Sequence, residues 1–386
     1  MANKVIYLDN QSTTQIDPIV LKSMYPYLTE SYGNPASSNH LYGWQAEEAV
    51  LIARENVSKL INSKIDDIIF TSGATESINL AMKGLLGGVL KKGDHIITTN
   101  IEHKAVIDVL YYLENKGISI SYLPVNPKGN IDLNDIKNNI CENTKLCTII
   151  HGNNEIGTVQ DIKKIGEICK SKNIIFHVDA AQTLGKREID VNEMNIDLLS
   201  VSGHKIYAPK GVGALYINRI NSNVNVNPLI HGGGHENGFR SGTLSVHNIV
   251  GFGEACKIAF TNMNQEKDNL NKMRNKLING IKEIFPNVII NGNQKNILEG
   301  NINITFPNLK ANYIISNLTN LAFSTNLAFS TSSACMSINP KPSHVLKAIG
   351  LNDKQIENTI RLGIGRFNNM EEINQTIRYF KGIKND

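Results

Sequence analysis

Between residues 44 and 217, short apolar runs alternate with amphipathic stretches, and this alternation narrows the available folds more than any other feature. WQAEEAVLIARENVSKLI carries apolar residues at helical spacing. DDIIFTSG reads as a short buried strand ending in glycine, and ATESINLAMKGLL as a helix. KGDHIITTN is strand-like and HKAVIDVLYYLENKG helical. KLCTIIHGNNEIGT is a strand running into a polar loop, IKKIGEICKSKN a helix, and IIFHVDAAQ another strand and loop. DLLSVSGHKIYAPKG and VGALYIN read as two strands joined by a loop. Strands and helices in this order predict βαβ units and a mostly parallel sheet.

Past about residue 260 the pattern changes. A long polar helical stretch (NQEKDNLNKMRNKLINGIKEIF) and short strands (VIINGN, NINITF) predict a second, smaller α+β domain. At 386 residues the chain is long enough for two substantial cores.

Composition removes several functions. Hydrophobic residues are 41% and charged residues 19%, and 39 basic against 35 acidic residues leave a formal net charge of +4. No block of Lys and Arg is interleaved with aromatics, so no direct nucleic-acid contact is expected. MANKVIYLDNQSTT lacks a basic region followed by an apolar run, and no stretch of eighteen apolar residues occurs. Neither a secretory signal nor a membrane span is expected. Cysteines at 141, 147, 169, 256 and 335 form no CxxC pair. A reducing cytoplasm is therefore expected, rather than a disulfide framework or a zinc site.

Three phrases carry chemistry. In SVSGHKIYAPKG, Lys205 follows a strand in a Gly-rich turn, and lysine amines condense with aldehydes such as pyridoxal phosphate (PLP). Alone it reads first as an exposed turn lysine. In HVDAAQ, Asp179 stands at the carboxyl end of a predicted strand, where α/β sheets place ligands. A carboxylate there could face a pyridine nitrogen. In TSGATES, a strand, a glycine and a helix start with hydroxyls make an anion cradle.

Taken together the phrases resemble class-V aminotransferase-like PLP enzymes, and specifically cysteine desulfurases of the NifS/IscS type. The matching phrases are YLDNQSTT, YGNPASSNH, FTSGATESIN, NIEHKAV, HGNNEIGTVQ, HVDAAQT, SVSGHKIYAPKG, HGGGHENGFRSGT, SSACMS and IRLGIGRF, from residue 7 to about 367. The resemblance implies an α/β chain of PLP-dependent transferase fold type I, the aspartate aminotransferase-like fold. Its large domain (14–259) would hold a mostly parallel seven-stranded sheet. Residues 1–13 and 260–386 would form the small α+β domain, with a catalytic loop at about 332–344.

By the same resemblance Lys205 carries PLP, Asp179 pairs with the pyridine nitrogen, and Gln182 bonds the ring oxygen. His103 stacks on the ring and moves protons. Ala74, Thr75, Ser202 and His204 hold the phosphate, and Thr243 reaches the phosphate of the other subunit in a homodimer. Arg361 clamps the substrate carboxylate, Asn154 sits near ring and substrate, and Asn34 helps hold the carboxylate. Cys335 attacks the sulfur of the substrate L-cysteine, giving L-alanine and an enzyme persulfide. The sulfur would pass to an iron–sulfur scaffold or a tRNA-thiolation relay, with a transient iron–sulfur cluster contact through Cys335. The other four cysteines stand in apolar contexts and are expected in the core. HGGGHE, at 231–236, places two histidines four apart, but three intervening glycines oppose a helix. A close-packed loop is expected there, and no metal.

One feature departs from the family. NLAFST occurs at 320–325 and again, unchanged, at 326–331, just before SSAC. Six is even, so a lengthened strand keeps its side-chain alternation, but six extended residues reach roughly 20 Å. A copy that loops out adds about 1 kcal/mol or less of closure entropy. The expectation is that it loops out and activity is kept. Ser332 also replaces the glycine expected before SAC, which stiffens the loop. KGIKND ends the chain where IscS-type proteins continue into a segment that docks the scaffold, which puts docking by that route in doubt. The competing readings are a selenocysteine lyase or aminotransferase of the same family, and a weakly active sulfur-relay homologue impaired by the duplication.

Overall fold

The computed structural model describes residues 5–325, 327–328 and 341–385. Seven strands form the main sheet, in the order Ile68–Thr71, Gly213–Ile217, Leu198–Ser202, Ile175–Asp179, Thr144–Ile150, His95–Thr99 and Ser119–Leu123. All neighbours pair in parallel except Gly213–Ile217, which runs antiparallel to both strands beside it. Six of the seven strands are buried almost throughout, and only the edge strand Ser119–Leu123 is partly exposed. Helices cover both faces, which is why these strands read as unbroken apolar runs rather than alternating ones.

A second sheet of four antiparallel strands has the order Ser324–Thr325, Thr359–Gly363, Asn301–Thr305 and Ile289–Ile290. It packs its own core of Leu277, Ile281, Ile302, Ile304, Ile360 and Phe380. The change of pattern near residue 260 falls inside one continuous helix, Val246–Ile284. Its first turns bury Ile249, Phe252, Cys256 and Ala259 against the large core, and its last turns bury Leu277, Ile281 and Ile284 in the small one. Only the stretch between is largely exposed, so the polar run marks a span between two cores.

The N-terminal segment ties the two sheets together. Ile6–Tyr7 pairs in parallel with Leu321–Ala322, and Asp9 bridges Gly363. A few residues on, the Thr14 amide donates to the His204 carbonyl at 3.0 Å. Leu321–Ala322 and Ser324–Thr325 both belong to the first NLAFST copy, so that copy contributes to two ladders of the small unit. In the second copy, Leu327–Ala328 pairs with Lys341–Pro342 in a separate two-stranded ladder.

Three of the four cysteines expected in the core are buried there, Cys147, Cys169 and Cys256. Cys141 is exposed instead. It sits just after the helix Leu133–Asn139, in the turn before the next strand, where the backbone returns to the surface.

Candidate active site

The carboxyl ends of the parallel strands open on a cleft of about 580 Å³. Asp179 is the last residue of its strand and Ser202 the last of the next, and both are buried. The single 3-10 turn Gly203–Lys205 then places His204 and Lys205 on the cleft wall.

At one side the strand Ile68–Thr71 runs into Gly73, whose φ of +144° is open to glycine but not to ordinary side chains. Gly73 precedes the helix Ala74–Lys83, and no side chain caps that helix. A Cβ on Gly213 would lie 2.6 Å from the Gly73 Cα, so the two backbones meet closely here. The first-turn amides have no carbonyl of their own helix to bond, and Ala74 and Thr75 line the cleft. Ser202 Oγ lies 3.6 Å from where a Gly73 Cβ would be. A bare helix N-terminus beside a hydroxyl suits an anion.

Lys205 Nζ donates to the carbonyls of Gln11 at 2.5 Å and Ser12 at 2.7 Å. Burial, reinforced by the charges of Lys186 and Arg361, pushes its ammonium down to about 7. His204 contacts Thr13 Oγ1 through Nδ1 at 3.1 Å. Burial, then Lys205, Lys210 and Lys186, pushes its imidazole down to about 4, so the ring is neutral at pH 7. His103 caps the helix Lys104–Glu114, its Nδ1 accepting the Ala105 amide at 3.2 Å. In the neutral ring that acceptor role leaves the proton on Nε2.

The Asp179 carboxylate accepts the Ala181 amide at 3.0 Å. Burial pushes its pKa up, against the opposing pull of His103 and Lys205. Gln182 Nε2 donates to the Gln11 carbonyl at 2.9 Å. Arg361 comes from the small sheet, on Thr359–Gly363, and is buried. Its Nη2 donates to Asp9 Oδ1 at 2.9 Å and to Ser12 Oγ at 2.6 Å, and its Nη1 to the Asn154 carbonyl at 3.1 Å.

Ala74, Thr75, His103, Asn154, Asp179, Gln182, Ser202, His204, Lys205 and Arg361 therefore share one cleft. Asn34 does not line it; this side chain is exposed and accepts the Ala36 amide at 3.0 Å. Thr243 is exposed as well and stands outside the cleft of this single chain. Cys335 lies outside the described residues. His231–Gly234 is an exposed stretch rather than a close-packed loop, since glycines bring no side chain to bury. Sequence reasoning gave no role to Asp9, Gln11 or Ser12. YLDNQSTT marked the segment, but two of these residues act through backbone carbonyls, which residue types do not encode.

The family model of class-V aminotransferases matches residues 6–376. The chain belongs to the class-V aminotransferase family, whose members are PLP-dependent enzymes. It is 48% identical to the cysteine desulfurase IscS of Shewanella denitrificans over 375 residues, 97% of this chain and 91% of that protein. A solved structure described as a NifS-like protein superposes with a TM-score of 0.89 at 35% identity, covering 99% of this chain and 98% of that one. A structure of SspA in complex with cysteine gives a TM-score of 0.81 at 37% identity, with 93% and 98% covered.

The cleft of this class-V chain suits PLP. The Oε1 atoms of Gln11 and Gln182 are buried with no hydrogen-bond partner among the described residues. Buried acceptors of this kind call for a polar ligand beside them. The uncapped helix start, the buried carboxylate and the lysine with a lowered pKa match a phosphate, a pyridine nitrogen and an aldehyde respectively.

Proposed function

We propose that this chain is a PLP-dependent cysteine desulfurase that converts L-cysteine to L-alanine and leaves the sulfur as a persulfide on Cys335. The observation that carries the proposal is the convergence of Lys205, Asp179, His103 and Arg361 on one cleft, with the arginine reaching in from the other sheet. PLP, when bound, supplies an electron sink for charge developing at the substrate Cα.

The residues divide the remaining work. Ala74, Thr75, Ser202 and His204 hold the phosphate, Asp179 the pyridine nitrogen, and Gln182 the ring oxygen. Lys205 holds the cofactor and, with its pKa pushed to about 7, can take up or release a proton near neutral pH. His103, on the cleft wall, would face the ring and present the Nε2 proton. Arg361 takes the substrate carboxylate, a planar task suited to guanidinium, with Asn154 beside it. The named activity of the IscS relatives and the cysteine complex of SspA support the substrate.

The functional unit of this reading is a homodimer, in which Thr243 reaches the phosphate of the neighbouring site and Asn34 helps hold the substrate carboxylate. Exposed Ile19, Tyr25, Leu28, Tyr32, Leu41 and Trp44 on the large unit support an interface, since monomers rarely leave so many large apolar side chains uncovered. In this reading the small unit, 1–13 and 260–386, carries the segment that bears Cys335. The persulfide passes to an iron–sulfur scaffold or a tRNA-thiolation relay in the cytoplasm.

The test is to incubate PLP-loaded protein with L-cysteine and a reductant and to quantify alanine and sulfide together. Equal yields over many turnovers are expected. Cys335→Ser should lose both while keeping the PLP absorbance. Alanine formation undiminished in that variant would remove the persulfide step from the proposal.

A further inference from the structure

Ser12 touches both ends of the cleft. Its carbonyl accepts from Lys205 Nζ at 2.7 Å, and its hydroxyl accepts from Arg361 Nη2 at 2.6 Å. It stands on the segment that joins the two sheets, between the Asp9–Gly363 bridge and the Thr14 amide bond to His204. Arg361 is the longer and more flexible partner. A guanidinium that is to meet a carboxylate through two parallel bonds must have its plane fixed beforehand, or the ordering cost falls on binding. Asp9 Oδ1 at 2.9 Å and the Asn154 carbonyl at 3.1 Å supply two fixed points. The Ser12 hydroxyl supplies another, and the carbonyl of the same residue holds the lysine.

We infer that Ser12 is a positioning residue for Arg361: its hydroxyl sets the guanidinium at a fixed separation from the Lys205 amine, and so selects α-amino acids over amines without an adjacent carboxylate. The inference rests on the reading that Arg361 receives the substrate carboxylate.

The test titrates the PLP-loaded enzyme with L-alanine and with ethylamine, which has the amine but no carboxylate, and follows the cofactor absorbance. Ser12→Ala is expected to weaken alanine binding about 5- to 10-fold while ethylamine binding is unchanged. Ser12→Thr, which restores the hydroxyl, should recover most of the loss. With L-cysteine the Ser12→Ala loss should appear in KM rather than in kcat. Alanine affinity within about twofold of wild type, or an equal loss for both ligands, overturns the inference. Arg361→Gln separates the two levels of argument. If it abolishes the preference for alanine while Ser12→Ala keeps it, Ser12 alone is dismissed. If Arg361→Gln retains the preference, the assigned role of Arg361 falls, and that of Ser12 falls with it.

Discussion

Ser324 and Arg361 are register partners in the antiparallel ladder between Ser324–Thr325 and Thr359–Gly363. The first NLAFST copy therefore lies directly beside the strand that carries the arginine. The second copy has its described pairing elsewhere, with Lys341–Pro342. Because the copies are identical, deleting either one yields the same chain, which can refill the sheet positions beside Arg361. Deletion of 326–331 is expected to leave alanine affinity within about twofold and the melting temperature within a few degrees, since the described residues of that stretch, Leu327–Ala328, pair outside the four-stranded sheet. Turnover of L-cysteine is the quantity that should respond, because the chain between the sheet and Cys335 shortens by up to roughly 20 Å. A large fall in alanine affinity would mean that the second copy supports the arginine after all.

The lowered pKa of Lys205 predicts how the apoprotein takes up PLP. Only the neutral amine reacts with an aldehyde. With the ammonium at about 7, uptake should rise with pH and level off shortly above neutrality, rather than climbing toward the ordinary lysine range. Lys186 is the first charged contributor to this shift after burial. Removing a positive neighbour favours the protonated amine, so Lys186→Met should move the profile to higher pH. Stopped-flow absorbance across a pH series checks both statements. A profile in Lys186→Met at or below the wild-type position would contradict the electrostatic account.

The main sheet was legible because both of its faces are buried, so its strands stand out as apolar runs against amphipathic helices. Three residues of the cleft wall were legible for a related reason. Asp179, Ser202 and Gly73 occupy strand ends and a helix start, positions at which sequence order and spatial order coincide. What escaped was everything made of long-range contact. Nothing in YLDNQSTT states that the Gln11 and Ser12 carbonyls hold Lys205, nearly two hundred positions away. The continuity of Val246–Ile284 was hidden because its middle is largely exposed, so the apolar stripe fades while the helix persists. Asn34 and Thr243 are exposed and stand outside the cleft of the single chain.

Glu102 predicts a pH dependence of stability. Its side chain is fully buried, with Oε1 accepting from Thr99 Oγ1 at 2.7 Å and from the Ile150 amide at 3.0 Å. Burial pushes its carboxyl up to about 8, from an ordinary value of 4.5. The folded state thus holds a proton that the unfolded state releases between these two values. Stability from this group is present below about 4.5 and is lost as pH rises toward 8, by an amount on the order of a few kcal/mol. Glu102→Gln keeps the shape without the ionisation. The difference in urea midpoint between Glu102→Gln and wild type should therefore shift in favour of the variant between pH 5 and pH 8. A difference that stays constant over this range would show that Glu102 does not titrate there.

The exposed glycine loop is pinned at its end by Glu236. Both of its oxygens meet Arg54, Oε1 to Nη2 at 2.6 Å and Oε2 to Nη1 at 2.8 Å, and Oε2 also accepts the Phe70 amide at 2.6 Å. The Arg54 guanidinium lies 4.7 Å over the Phe70 ring and donates to the Ile68 carbonyl, so the pair anchors the loop to the first strand of the main sheet. The carboxylate is almost wholly buried, and a buried pair is costly to break from one side because the remaining charge is left without its counter-ion. Glu236→Ala should then lose about 3–5 kcal/mol, read from urea unfolding at fixed protein concentration. Replacing both partners, as in Arg54→Met with Glu236→Leu, removes the stranded charge and should recover part of that loss. Recovery should stay incomplete, because the Phe70 amide and the Ile68 carbonyl lose their partners in the double variant. A loss under about 1 kcal/mol in Glu236→Ala would mean that the loop is held by its glycine turns instead.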